Sequence, residues 1–154
     1  MAPSKKKVKQ VYAPASREVR QRENPESIMT YHPSWSFSRC DTSGTWAFSK
    51  TTARDDFWDK ILPRLTGFES MTWSEILIVA KKQNHSIPVA SLNKCAVDRL
   101  EELGITVDDV IALRIDATTR VYGFLSAAVF VILWYDTGHG DNSTCVCRSV
   151  LKHT

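Results

Sequence analysis

The strongest constraint on this chain lies in its last third, where three strand-forming runs follow one another with almost no chain between them. Val110 to Ile115 (VIALRI), Arg120 to Leu125 (RVYGFL) and Val129 to Tyr135 (VFVILWY) are rich in β-branched and aromatic residues. Only Asp116 to Thr119 and Ser126 to Ala128 separate them. Connections this short cannot carry a crossover, so the runs must pair as antiparallel neighbours, a three-stranded meander. The third run is apolar on both faces and is expected at the centre of the sheet. A polar loop, Asp136 to Thr144, leads to a last short strand around Cys145 to Val150.

Upstream, the periodicity changes twice. Trp35 to Arg39 (WSFSR) and Thr45 to Ser49 (TWAFS) alternate at period two around Asp41-Thr42-Ser43-Gly44, where Asp suits an Asx-turn and Gly accepts positive φ. These runs predict an N-terminal β-hairpin. Helical spacing follows: Phe57, Ile61 and Leu65 make an i, i+4, i+8 stripe joined by Trp58 and Leu62, with Thr52 and Asp55 at its start and Pro63 placed to kink or end it. Thr72-Trp73-Ser74-Glu75 is a capping box opening a second helix, and Asn84 suits its end. Ser86 to Val89 is extended because of Pro88, and a third helix runs from about Ser91 to Leu103 with Gly104 as a left-handed stop. The expected fold is α+β: a hairpin, two to three helices, then a three- to four-stranded antiparallel sheet covered by them. The five tryptophans, Trp35, Trp46, Trp58, Trp73 and Trp134, fall on faces expected to be buried.

Charge needs to be read by region. The 154 residues carry a net +3, but residues 1–27 hold seven basic and three acidic side chains while residues 28–154 hold 13 basic and 14 acidic ones. The tail, with its lysine block, three prolines and few large apolar residues, is expected to be a disordered basic arm. Residues 28–154 form the expected single domain, nearly neutral. The basic start lacks an apolar leader segment, and the longest apolar run, Ala127 to Tyr135, is too short to span a bilayer as a helix. A cytoplasmic protein with four reduced thiols (Cys40, Cys95, Cys145, Cys147) and no membrane partner is therefore expected.

Polar chemistry concentrates on and just after the sheet: Arg114, Arg120, Tyr122, Asp136, His139, Arg148, Lys152 and His153. An arginine beside a phosphate, with tyrosine or histidine carrying a proton, suits metal-free RNA cleavage, in which a base activates the 2′-hydroxyl and a cation stabilises the phosphorane. Exposed strand arginines and a solvated loop histidine without function would look the same in sequence. His139, Cys145, Cys147 and either His153 or Cys40 offer nitrogen and sulfur donors for zinc, yet Cys145-Val146-Cys147 is not a CxxC knuckle, and no metal or other cofactor is expected. GxSxG, P-loop, GxGxxG and HExxH patterns are absent, which leaves ordinary hydrolase, nucleotide-binding and dehydrogenase classes unsupported.

The C-terminal part, Leu113-Arg114 … Arg120-Val-Tyr-Gly-Phe … Val-Phe-Val-Ile-Leu-Trp-Tyr-Asp … His139 … Leu-Lys-His-Thr, resembles the end of RelE/HigB-like bacterial toxins over roughly residues 55–154. Those proteins place helices before an antiparallel sheet and cut mRNA on the ribosome without a metal. The resemblance implies that Arg114 and Arg120 bind phosphate, that Tyr122 or His139 acts as acid or base, and that Lys152 is the basic residue near the terminus. Arg148 joins the substrate-binding set through its place in the same cluster. RNA or the ribosome, and an antitoxin, become the implied partners. The folded part departs from such toxins in its near-neutral charge, its N-terminal hairpin and its extra helix. The whole chain also looks like a type of small actinobacterial protein of unknown role through its SIPVASL segment and LWYD…H ending. The alternative to an RNA-cleaving enzyme is a non-catalytic protein-interaction module, in which the sheet or the Trp-rich hairpin binds a protein partner.

Overall fold

The computed structural model describes residues 28–49, 53–139 and 145–147; the expected basic arm, the Thr52 cap, Arg148, Lys152 and His153 lie outside them. Five strands form one mixed sheet in the order β1-β5-β4-β3-β2. They are β1 (Ser34–Ser36), β2 (His85–Pro88), β3 (Asp109–Arg114), β4 (Arg120–Ser126) and β5 (Val129–Asp136). The meander is present as read: β3, β4 and β5 are consecutive antiparallel partners with boundaries within a residue of the periodic runs. β5 is interior, held between β1 and β4, while β4 takes the middle position.

The hairpin is not formed. β1 instead pairs parallel with β5, Trp35 opposite Phe130, and residues 45–49 form no strand. The Asx-turn at Asp41 does form, its Oδ1 accepting the N–H groups of Ser43 and Gly44 at 3.1 and 3.0 Å. The loop after it completes the exposed edge of β5 in place of a strand. A bulge between Tyr122 and Gly123 leaves Leu133 without a partner on β4. Its carbonyl accepts the Asp41 N–H at 3.0 Å, and the Tyr135 N–H reaches the Trp46 carbonyl at 2.9 Å. Gly44 serves this loop by close approach rather than by positive φ, since a Cβ there would lie 2.8 Å from Arg99 Nε and closer still to the Asp41 carboxylate.

Helical segments cover both faces, giving three layers. One face is covered by α1 (Arg54–Asp56), a π-helical turn (Phe57–Ile61), α2 (Leu62–Glu69) and a second π-helical turn (Glu75–Val79). The first π turn precedes Pro63, which lacks an N–H and crowds the carbonyl four residues back; the wider turn, with Leu62 N–H bonded to Phe57 O, accommodates it. The Thr72–Glu75 capping box is reciprocal, with bonds of 2.8 and 3.3 Å. Ile61, Leu65, Phe68, Trp73 and Ile76 are buried here against Ile111, Leu113, Val121, Phe130 and Ile132. The other face carries α3 (Lys94–Glu102), capped by the Asn93 side chain, which accepts the Cys95 N–H. Ala96 and Leu100 of α3 pack there with Val110, Ala112, Tyr122, Leu133 and Trp134, and Gly104 ends the helix at φ +67° as expected.

Candidate functional site

Strand register decides which polar residues meet. Arg114 lies directly opposite Arg120, and Arg120 opposite Asp136, so β3, β4 and β5 carry a transverse row of these three at one end of the sheet. The row points to the α3 face, since Ala112, Tyr122 and Trp134, two residues along each strand, belong to that core. Of the cluster read from sequence, Arg120, Tyr122, Asp136 and His139 are brought together inside the molecule, with Arg114 partly exposed at the end of the row. Arg120 is 6% exposed, and its Nη1 donates to the carbonyls of Asp116 and Thr119 at 2.7 and 3.0 Å. Burial, and then the like charge of Arg114, pull the Arg120 pKa below its ordinary value. Tyr122 has no exposed surface; its hydroxyl is 3.0 Å from Cys147 Sγ, and burial, followed by the charge of Cys147, raises its pKa strongly.

Asp136 organises the far end of the row. Its Oδ1 accepts the Gly138 N–H at 2.8 Å and its Oδ2 the Val146 N–H at 2.9 Å, so one buried carboxylate ties the segment after β5 to the strip 145–147. Burial raises the Asp136 pKa, opposed first by the two N–H bonds. His139, 9% exposed, is fixed by its own N–H to the Thr118 carbonyl at 3.0 Å, and its Nδ1 lies 3.8 Å from Cys145 Sγ. Cys145 and Cys147 are fully buried. The Cys145 pKa is raised by its hydrogen bond to Cys147 and by burial, and that same bond lowers the Cys147 pKa. Cys40 belongs elsewhere: it packs against the opposite core, where burial and the Asp41 charge raise its pKa to about 11.

A second buried polar centre had little signal in the sequence beyond the turn motif. Asp41, 1% exposed, accepts both Nε and Nη2 of Arg99 at 2.9 Å, the Trp134 indole N–H at 3.1 Å and the two turn N–H groups. The Arg99 bond, chiefly, holds its carboxyl well below the usual carboxylate range. The centre joins α3, β5 and the loop after β1 and leaves no acceptor capacity for a ligand.

The opposite face has the open surface. Phe37, Phe48, Ala53, Arg54, Asp55, Phe57 and Trp58 line a groove of about 630 Å³. Its rings stand edge to face: Phe37 meets Phe48 at 6.4 Å and Phe57 at 6.3 Å, and Phe57 meets Trp58 at 5.2 Å. Trp58 is 66% and Phe37 46% exposed, and Leu62, one turn after Trp58, is exposed too. Trp58 therefore departs from the buried set of tryptophans. The sheet meets only the narrow stripe of Phe57, Ile61, Leu65 and Phe68, and Trp58 and Leu62 flank it on the solvent side. The sequence showed the aromatic content of this region, but the groove needed the chain path from Phe37 to Phe48.

Compared with family models, curated proteins and solved structures, the chain matches none. Among the described residues no helix is long and apolar enough to cross a membrane.

Proposed function

We propose that this protein is an interaction module whose aromatic groove receives a bulky apolar side chain from an extended segment of a protein partner. The observation that carries the reading is the groove itself, a concavity of about 630 Å³ walled by Phe37, Phe48, Phe57 and Trp58, with two of these rings substantially exposed. Soluble proteins rarely leave several large aromatic side chains together at the surface without a use, and exposed aromatic pockets supply the anchoring contacts of protein interfaces. Arg54 on the groove rim sits at φ +39°, a left-handed conformation that costs free energy for a side-chain-bearing residue. Such strain concentrates at binding sites. Cleavage of RNA by Arg120, Tyr122 and His139 has weaker support, because the first two groups are buried and bonded to protein partners.

The test is site-specific photo-crosslinking in the host cell from position 37, with a crosslinker at Glu101 on exposed α3 surface as control. A discrete polypeptide adduct from position 37, absent from position 101 and lost in Trp58→Ala, is the expected result. Growth arrest with mRNA cleavage that persists in Trp58→Ala and disappears in Arg120→Ala would overturn the reading in favour of a toxin.

A further inference from the structure

We propose that His139, Cys145 and Cys147 form a metal site for zinc or a metal of similar preference, independent of the aromatic groove. Their donor atoms, one imidazole nitrogen and two sulfurs, all lie within 4.8 Å of one another, and the Cys145 Sγ to His139 Nδ1 distance is 3.8 Å. A tetrahedral ion with bonds of about 2.3 Å to sulfur and about 2.0 Å to nitrogen places its ligand atoms roughly 3.5–3.8 Å apart. The described donors are thus close to coordination spacing before any ion is considered.

The surroundings fit sulfur ligands that carry charge. The Cys147 N–H points at Cys145 Sγ at 3.3 Å, and the Tyr122 hydroxyl lies 3.0 Å from Cys147 Sγ, placed to donate to it. Arg120, two residues before Tyr122 on the same face of β4, brings a buried cation to the same neighbourhood. Two thiols sealed from solvent beside a histidine have no evident packing advantage over small apolar residues, whereas metal ligands of this kind are held by just such outer hydrogen bonds.

The ligands also sit on rigid supports. Asp136 bonds the backbone at Gly138 and Val146, one residue from His139 and between the two cysteines. Asn93, the cap of α3, donates its N–H to Val146 O at 2.8 Å and its side-chain amide to Cys145 O at 3.4 Å, and Cys147 bridges to Leu92. Asp136 is therefore a positioning residue and Tyr122 an outer donor, while His139, Cys145 and Cys147 are the three ligands found among the described residues. The pair two residues apart escapes the CxxC rule because the turn that usually spaces the sulfurs is replaced here by a bridged strip against α3.

Cobalt(II) titration of the reduced full-length protein tests the site. One equivalent is expected to bind with a thiolate-to-cobalt charge-transfer band and the ligand-field bands of tetrahedral cobalt, both removed by zinc. A Cys40→Ser, Cys95→Ser double variant should keep both spectra, and Tyr122→Phe should bind about ten-fold more weakly. Cys147→Ser should lose most of the charge-transfer intensity. Should a cysteine variant fail to fold, the wild-type and double-variant titrations still decide. Absence of thiolate bands in folded wild-type protein, or their loss with Cys40 and Cys95, would overturn the assignment.

Discussion

The two faces of the sheet are built from the same strands and closed in opposite ways. On the α3 face, charged and sulfur-bearing side chains are drawn inward and tied to one another: Asp41 to Arg99 and Trp134, Asp136 to Gly138 and Val146, Tyr122 to Cys147. On the opposite face the core is built chiefly of hydrocarbon and aromatic side chains, with the Tyr135 hydroxyl bonded to Asp56 and Cys40 packed at its margin, and the rings spill past its edge into the open groove at Phe37 and Trp58. Residue type alone therefore does not locate a working surface. In this chain the polar groups chiefly hold the architecture, while several large apolar rings stand at the surface; binding an ion and meeting a protein partner are the roles proposed for them.

The largest break in that comparison is expected from Asp41→Ala. It strands the buried Trp134 indole N–H and the turn N–H groups of Ser43 and Gly44, and each buried donor left unsatisfied costs about 1–3 kcal/mol. Equilibrium urea unfolding measures this, and a loss below 1 kcal/mol would mean that the α3 face is not held by its polar centre. The same centre sets an acid limit. The folded Asp41 pKa lies below its unfolded value, so its contribution is complete above the unfolded pKa near 4 and is lost as pH falls below it. Stability curves of wild type and Asp41→Asn should therefore converge between about pH 5 and pH 2; parallel curves would contradict the assignment.

A change in the sheet itself should not distinguish the faces. A Cβ on Gly123 would run into the Val131 carbonyl and come within 2.6 Å of the Phe130 ring, so Gly123→Ala is expected to cost about 1–3 kcal/mol. Thermal melts followed by Trp fluorescence and by far-ultraviolet dichroism should drop together; separate transitions would show that the faces melt independently. The smallest effect on stability belongs to Trp58→Ala, within about 0.5 kcal/mol by urea unfolding, because the ring is mostly in solvent. Its effect on partner affinity should instead be at least about 2 kcal/mol, as for an anchoring aromatic. A large stability loss would move Trp58 back into the core where its helical stripe placed it.

Local chemistry was legible in the sequence wherever a few adjacent residues determine the outcome. The meander follows from short connections, the Thr72–Glu75 box from its own hydrogen bonds, and the Gly104 stop from its backbone freedom. What escaped depends on contacts between distant segments. β1 chose β5 rather than its neighbour in sequence, and nothing near Trp35 announces Phe130. Asp41 was read as a turn residue, which it is, but its partner Arg99 is 58 residues away. The residues of the polar cluster were recognisable by type, and the register that puts Arg114, Arg120 and Asp136 in one row then followed only from the strands in place. The burial of Arg120 and Asp136 did not follow from composition, because arginine and aspartate are interior only when something specific satisfies them.

Hydroxyl-radical footprinting of the native protein, read by mass spectrometry, tests both faces in one measurement. Fast oxidation at Trp58 and Phe37, with Tyr122, Trp134, Cys145 and Cys147 protected until the chain unfolds, is the result expected from a sealed polar face and an open aromatic one. Oxidation of Tyr122, Cys145 and Cys147 at rates matching Trp58, while Trp134 stays protected, would contradict it, and would put the polar cluster at a surface where a substrate can reach it.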